Sequence, residues 1–573
     1  MRERESKENK QSFMLGVMSL FIAQIVVKLL GLVYRLVITN IDGFGDEGNG
    51  IYGAGYQIYT LLLAVSSIGV PNAISKLVSE KLAVGKHEEA HEIFKTAMLL
   101  FSIIGLVLST LLFVFSRTLA NLVGNSSVQG VMIALSPAIL FVSLASVIRG
   151  YFNGMYNMKA TSNSQMLEQL FKSILTITFV QIIANISLIK SSWLINLLNS
   201  HNTNRTVIMA IAGNVASSVA TILGFLYLHI FYLCHKKKII ANIKNSKVVY
   251  RKEKRSIIMK KILAISIPIS IASIISAINR NIDTFTVVNG LKTALINCYS
   301  SIDIVTNEAT RLYGILSGKI DILVGMPASL NVAFATALVP AISGAIANGD
   351  IKTAKRRITF SLRITLLIGL PCAIGMCVLA GPILNLLFPN AYSPEAAILL
   401  RLSAFTIIFT LLNQTLGGTL QGLGKVYVPA ISLAIGAVIK LLLNLLLIPR
   451  LDWGILGGIN GAAISSIVAS CVSFIINMKA TCKSIKLNLN IYQTYIKPVI
   501  VTLIVGLSSY YTHHFLIEIL NQKLATILVI LVAIMVDVVL LIVFKVFDKE
   551  DYTMLPYGNN IYQFLTKIKF LKA

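Results

Sequence analysis

The sequence predicts an all-α polytopic membrane protein, and three observations carry that prediction. Hydrophobic residues make up 55% of the 573 and charged residues only 13%, at a mean hydropathy of +0.78, more apolar than any ordinary water-soluble core requires. Apolar runs of about twenty residues recur from end to end, each long enough to cross ~30 Å of hydrocarbon. The short alternating segments of an outer-membrane barrel are missing.

About fourteen spans are expected by this length criterion. They lie near 13–38, 51–75, 95–117, 130–153, 163–188, 207–233, 262–288, 312–345, 358–386, 398–422, 426–448, 455–478, 497–516 and 524–546. Met1 to Lys10 is polar, and the apolar run that follows is too long for a signal peptide and has no small-residue cleavage site. It reads as a retained first span. Between the second and third spans, Val84 to Glu92 carries mixed charges that suit a short helix lying at the membrane surface. His87 and His91 stand four apart there, but no third ligand lies nearby, so a solvated helix face is the better reading than a metal site.

Spans four and five contain Gly150-Tyr151-Phe152-Asn153-Gly154, then Ser164, Glu168 and Lys172 at four-residue steps. Spans ten and eleven repeat this as Gly418-Thr419-Leu420-Gln421-Gly422, then Ser432, Gly436 and Lys440, at an offset of 268 residues, the separation of Gly418 from Gly150. The chain therefore divides into an N-terminal six-helix bundle (1–234), a basic cytoplasmic linker (235–261), a C-terminal six-helix bundle (262–482), and two additional helices with a cytoplasmic tail (483–573). Matching spans are an even number apart, so the two bundles share an orientation and form a parallel repeat about an axis along the membrane normal. The glycine pairs permit close helix approach. Pro71, Pro268, Pro327 and Pro371 interrupt spans, where a packing kink is the plain reading.

In a soluble protein a net charge of +26 would suggest nucleic acid. Here most of the 50 Lys and Arg fall in segments that alternate to one side, which places both termini in the cytoplasm of a plasma membrane. The densest block, His235 to Lys261, reads as a topology determinant touching anionic membrane lipids, with no nucleic-acid partner. The six cysteines form no metal-ligand cluster and indicate no disulfide. No Gly-rich nucleotide-binding motif or catalytic set is present, which points to no enzyme and no cofactor, and leaves the membrane potential or an ion gradient to drive transport.

Charges inside the spans mark the expected site, because each costs at least ~2.5 kcal/mol in lipid unless it meets water or a partner. At about 100° per residue, Gln24, Lys28, Gly31 and Arg35 share one face of the first span. Ser273, Ser276, Arg280 and Asp283 share a face of the seventh, and Arg311, Lys319 and Asp321 lie in and before the eighth. Lys28, Arg35, Arg280 and Lys319 would offer four cations to a phosphate-bearing cargo, Arg as a planar fork and Lys as a mobile point charge. Local pairing is the alternative: Glu168 with Lys172, Arg280 with Asp283, Lys319 with Asp321. On that pairing Lys172→Ala would be mild. The last two spans, apolar apart from Asp537, would extend a groove for a lipid tail or serve as simple support.

Lys28-Leu29-Leu30-Gly31-Leu32-Val33-Tyr34-Arg35, then Gly48-Asn49-Gly50-Ile51-Tyr52 with Tyr56-Gln57-Ile58-Tyr59, and Gly69-Val70-Pro71-Asn72-Ala73-Ile74-Ser75, resemble the SpoVB/MurJ-like polysaccharide biosynthesis proteins. That family belongs to the multidrug/oligosaccharidyl-lipid/polysaccharide exporter superfamily. The resemblance implies a two-lobed flippase working by alternating access on an undecaprenyl-pyrophosphate-linked cargo, the peptidoglycan precursor lipid II or another lipid-linked polysaccharide repeat unit. It implies cargo-binding roles for Lys28 and Arg35, and maps further basic residues onto Arg280, Arg311 or Lys319. A monovalent cation is a candidate coupling ion at Asp283 and Asn444, although Lys440, one turn from Asn444, stands where such a cation would sit. A drug/cation antiporter of the same superfamily is the competing reading, and a basic lining argues against it.

Overall fold

The computed structural model describes residues 23–67, 69–185, 204–244, 253–487, 490, 492–544, 546–547, 551, 563 and 566. The expected start of the first span and the middle of the basic linker lie outside these residues. The described chain is helical and divides into two compact units, Met1–Gly318 and Lys319–Ala573.

Unit one contains α1 (23–39), α2 (Gly45–Ser66), α3 (Val70–Ala83), α4 (His87–Val114), α5 (Ser116–Val123) and α6 (Val128–Gly154). It continues with α7 (Lys159–Ala184), α8 (Arg205–Lys244), α9 (Arg255–Leu295) and α10 (Ile302–Ile315). Unit two contains α11 (Asp321–Ala347), α12 (Ile351–Val378), α13 (Ala380–Leu387) and α14 (Pro394–Gly422). It ends with α15 (Tyr427–Leu447), α16 (Gly458–Ile485), α17 (Lys497–Ile519) and α18 (Gln522–Val543). Among the described residues, 12 helical stretches are long and apolar enough to span a membrane, and α9, bent by 45° a turn beyond Pro268, brings the number to 13 if its halves make one span. The first expected span is described only from Ala23 and is not among them.

Local chemistry explains where these helices start and stop. Gly43, at φ 81°, takes a left-handed conformation that a side chain would resist, so the acidic stretch after α1 is a tight corner that places Asp46 and Glu47 in the first turn of α2. Pro71 follows the break between α2 and α3 within the apolar stretch Gly45–Ala83 and occupies the first turn of α3, where its missing N–H has no intrahelical partner to lose. The expected surface helix at 84–92 is instead a turn followed by the opening of α4. Glu88 and Glu89 suit that N-terminus, and Glu89 pairs with Lys81 at 2.6 Å and Lys86 at 2.9 Å. Asp350 caps α12 by accepting from the Thr353 backbone N–H at 2.9 Å, and hydrogen bonding from the Thr353 side chain and then its backbone holds the carboxyl below the usual range.

Within unit one, α6 packs on α3 through the predicted glycine pair: a Cβ added at Gly150 would meet Pro71 Cα at 2.9 Å, and one at Gly154 would meet Val78 Cβ at 2.8 Å. Within unit two, α14 packs on α11 in the same manner, with Gly418 against the Ala335 carbonyl and Gly422 at 2.9 Å from Ile342 Cβ. Ile74 and Ile342, which face the respective pairs, are again 268 residues apart. The glycine seam thus recurs in each unit with its partner helix in a different register: Ile74 meets Gly150, the first glycine of its pair, and Ile342 meets Gly422, the second.

A second seam in unit one joins α2 to α10 with backbones nearly touching. A Cβ at Gly50 would overlap the Thr310 carbonyl oxygen, and one at Gly314 the Asp46 carbonyl oxygen. Gly314→Ala is therefore expected to destabilise the purified protein by about 1–3 kcal/mol, because rigid helix backbones must separate. Gly325→Ala, whose Cβ meets open space in a helix, should be neutral or slightly stabilising. Thermal melting in detergent compares the two, and equal melting temperatures would refute the close-packed seam.

Candidate functional site

The polar face of α1 turns toward α7. Gln24 Nε2 donates to Gln165 Oε1 at 2.9 Å, and a Cβ at Gly31 would lie 3.6 Å from Gln169. Lys28, on the same face, is exposed, whereas Arg35, two turns on, is partly buried. Its guanidinium lies 4.2 Å from the Tyr52 ring centroid and donates to Asn49 Oδ1 at 3.4 Å, while Asn49 Nδ2 donates to Thr39 Oγ1 at 2.8 Å. Tyr52 in turn bonds Ser217 at 3.3 Å.

From α7, Lys172 enters the same group of rings. Its Nζ lies 4.0 Å from the Tyr56 centroid and 5.7 Å from that of Tyr34, and Arg35 stands 5.8 Å from Tyr34 on another side. Each ring face attracts a cation through its quadrupole, which gives two buried positive charges a partial solvent. The expected Glu168–Lys172 pair does not form. Glu168 belongs to Arg149 of α6, with Nη2 at 2.7 Å, while Arg149 Nε donates to Ser164 at 3.0 Å and Thr221 donates to Glu168 at 3.3 Å. Arg149 offers a planar fork from a neighbouring helix, a better match to a carboxylate than a lysine one turn along the same helix. Among the described residues, neither Arg35 nor Lys172 has a carboxylate within ion-pair distance.

Lys172, Tyr56, Arg149 and Glu168 border a cavity of about 230 Å³ inside unit one, lined also by Gln24 and Thr221. Its net charge is positive, since Glu168 balances Arg149 and Lys172 is left over. Such a cavity is suited to an anion.

The other predicted residues lie elsewhere. Arg311 of α10 makes a bidentate pair with Glu308 at 2.7 and 2.8 Å, and Arg280 of α9 is exposed and donates to Ser276 at 3.1 Å. Asp283 is half-buried on the same helix. In unit two, Lys319 is fully buried, donates to the Ala391 carbonyl and lies 5.6 Å from the Phe388 ring, while Lys440 and Asn444 are buried on α15. Sequence reasoning missed Arg149 and the tyrosines of α1 and α2. An Arg inside the apolar run of span four, facing Glu168 across a short turn, was the available signal.

The family model for polysaccharide biosynthesis proteins matches residues 13–346. The chain belongs to this family. A second model, MatE, matches 317–446. Stage V sporulation protein B of Bacillus subtilis is 25% identical, over 78% of this chain and 80% of its own length. The lipid II flippase MurJ of the same organism is 26% identical, over 80% and 81%, and the uncharacterised membrane protein YabM 29%, over 79% and 76%. Among solved structures, the inward closed conformation of lipid II flippase MurJ matches with TM-score 0.61 at 18% identity, covering 93% of this chain and 98% of that one. An inward-facing MATE multidrug transporter matches with TM-score 0.59 at 15% identity, covering 81% and 99%. The fold of this polysaccharide biosynthesis family member is therefore that of MurJ and MATE proteins, and it is a multi-pass membrane flippase or exporter, not an enzyme.

Proposed function

We propose that this family member flips undecaprenyl-pyrophosphate-linked lipid II from the inner to the outer leaflet by alternating access. The carrying observation is the cavity of unit one, where Lys172 is buried on the wall against the Tyr56 ring, with the partly buried Arg35 behind it against Tyr52, neither cation having a carboxylate of its own among the described residues. A diphosphate supplies the missing negative charge and accepts hydrogen bonds from Lys172 and Arg149, with Arg35 adding positive charge from behind the wall. Lys28, exposed on the α1 face, is the first contact for an arriving headgroup, while Arg280, Arg311 and Lys319, which lie outside this cavity, remain candidates for further cargo contact. Asp283, Lys440 and Asn444 remain the candidates for ion coupling. The matching glycine seams support the division into bundles at 1–234 and 262–482, and the Lys and Arg distribution supports cytoplasmic termini and a linker on anionic lipids. A drug/cation antiporter would need a net acidic lining, whereas this cavity holds Glu168 against both Arg149 and Lys172.

The second reading, another lipid-linked polysaccharide repeat unit as cargo, is favoured by the stage V sporulation protein B likeness, as strong as that to the MurJ flippase. Complementation separates the two. A strain depleted of its own lipid II flippase should grow when this protein is expressed, and Arg35→Ala or Lys28→Ala should abolish the rescue with protein still in the membrane. Failure of the wild-type chain to rescue, at verified expression, would move the cargo to another glycan.

A further inference from the structure

Helix α18 is the most apolar of the spans, yet Asp537 stands inside it, about 9 Å along the axis from its end at Val543. The side chain is half-buried, and Oδ1 is enclosed with no hydrogen-bond partner. No Lys, Arg or His lies within ion-pair distance among the described residues.

The elements packed around it offer little to an anion. On α12 the ionisable group within electrostatic reach is the Cys372 thiol, and α13, Ala-Gly-Pro-Ile-Leu-Asn-Leu-Leu, has none. The ionisable groups of α17 are Lys497 at its start and Tyr510, Tyr511, His513, His514 and Glu518 toward its end. On α18 itself, Ala533, Leu540 and Leu541 share the helical face of Asp537 and belong to an apolar cluster with Leu367 of α12 and Val501 and Val505 of α17. An ionised carboxylate there would have no cation within ion-pair distance among the described residues and, at Oδ1, neither water nor a donor to replace its hydration. The neutral acid has no such need.

We propose that Asp537 is an intramembrane proton-binding site, protonated while α18 packs against α12 and α17, and releasing its proton only when the helix pair moves enough to bring the carboxyl to water. Proton occupancy and the position of the α17–α18 pair are then linked, and external or internal pH biases that position. The inference does not depend on which cargo is carried.

The test uses the full chain in liposomes and two carbodiimides, hydrophobic dicyclohexylcarbodiimide and a water-soluble analogue, with peptide mass spectrometry at Asp537. The hydrophobic reagent, which attacks protonated carboxyls in apolar surroundings, should modify Asp537 at neutral pH and fall at least tenfold as the pH is raised to 10. The water-soluble reagent should leave it unmodified at neutral pH. No modification by the hydrophobic reagent at any pH, equal modification by both, or labelling unchanged from pH 5 to 10 would each overturn the site. A second measurement addresses the linkage. Spin labels at lipid-facing Ile368 of α12 and Val539 of α18, in a cysteine-free background, should report a pH-dependent distance that Asp537→Asn holds at its low-pH value. A distance that changes equally in both proteins, or in neither, would overturn the coupling.

Discussion

Lys172→Ala is expected to abolish rescue of a flippase-depleted strain and to weaken binding of a diphosphate lipid by about 10- to 150-fold. Its Nζ sits on the cavity wall among Tyr34 and Tyr56, with a relative exposure of 9%, and Glu168 is engaged by Arg149 at 2.7 Å. A hydrogen bond to a charged group contributes roughly 1.5–3 kcal/mol, and loss of one such bond gives that range of affinity. Lys172→Arg should retain most of the binding, since charge and reach survive. Removing Glu168 acts differently, because it leaves Arg149 buried without its partner, so Glu168→Ala should lower stability as well as transport. Microscale binding of a fluorescent undecaprenyl-diphosphate analogue to the purified variants separates these effects. Wild-type affinity in Lys172→Ala would remove this residue from the site and return it to a packing role.

Arg363→Ala is expected to be the most destabilising single change in unit two, at about 3–5 kcal/mol. Arg363, on α12, is 4% exposed, and Asp551, beyond the last span, is 6% exposed. The two form a buried ion pair, and Arg363 Nη1 also donates to the Val546 carbonyl at 3.1 Å. Val546 is itself buried in the apolar cluster of Leu367, Val501 and Val505, so the ion pair and the cluster hold the same segment. Alanine at 363 removes the guanidinium from both the Asp551 carboxylate and the Val546 carbonyl. A paired change, Arg363→Leu with Asp551→Leu, should recover much of the loss, as replacing both partners by apolar side chains removes the stranded charge. Thermal unfolding in detergent, with protease sensitivity of the C-terminal segment as a second readout, measures this. If Arg363→Ala melts like wild type, the segment is not anchored by the pair.

The sequence by itself determined the helical class, most of the spans and the glycine-seam repeat, but not the turn at 84–86. Span positions follow from run length against hydrocarbon thickness, and the Gly150/Gly154 and Gly418/Gly422 seams follow from small residues at four-residue spacing, because both signals are local in the chain. The polar face of α1 was legible for the same reason: helical periodicity alone groups Gln24, Lys28, Gly31 and Arg35. Partner choice was not legible. Spacing allowed Glu168 to meet Lys172 one turn away, but only the packing of α6 beside α7 brings Arg149 into range, and that frees Lys172 for the tyrosines. In the same way, nothing in the tail sequence ties Asp551 to Arg363, which lies 188 residues away in the chain. Periodicity sets which side chains share a face, but the azimuth and depth at which two helices meet depend on contacts along their whole length. Only the tertiary structure therefore decided which buried charges are neutralised and which are left for a ligand.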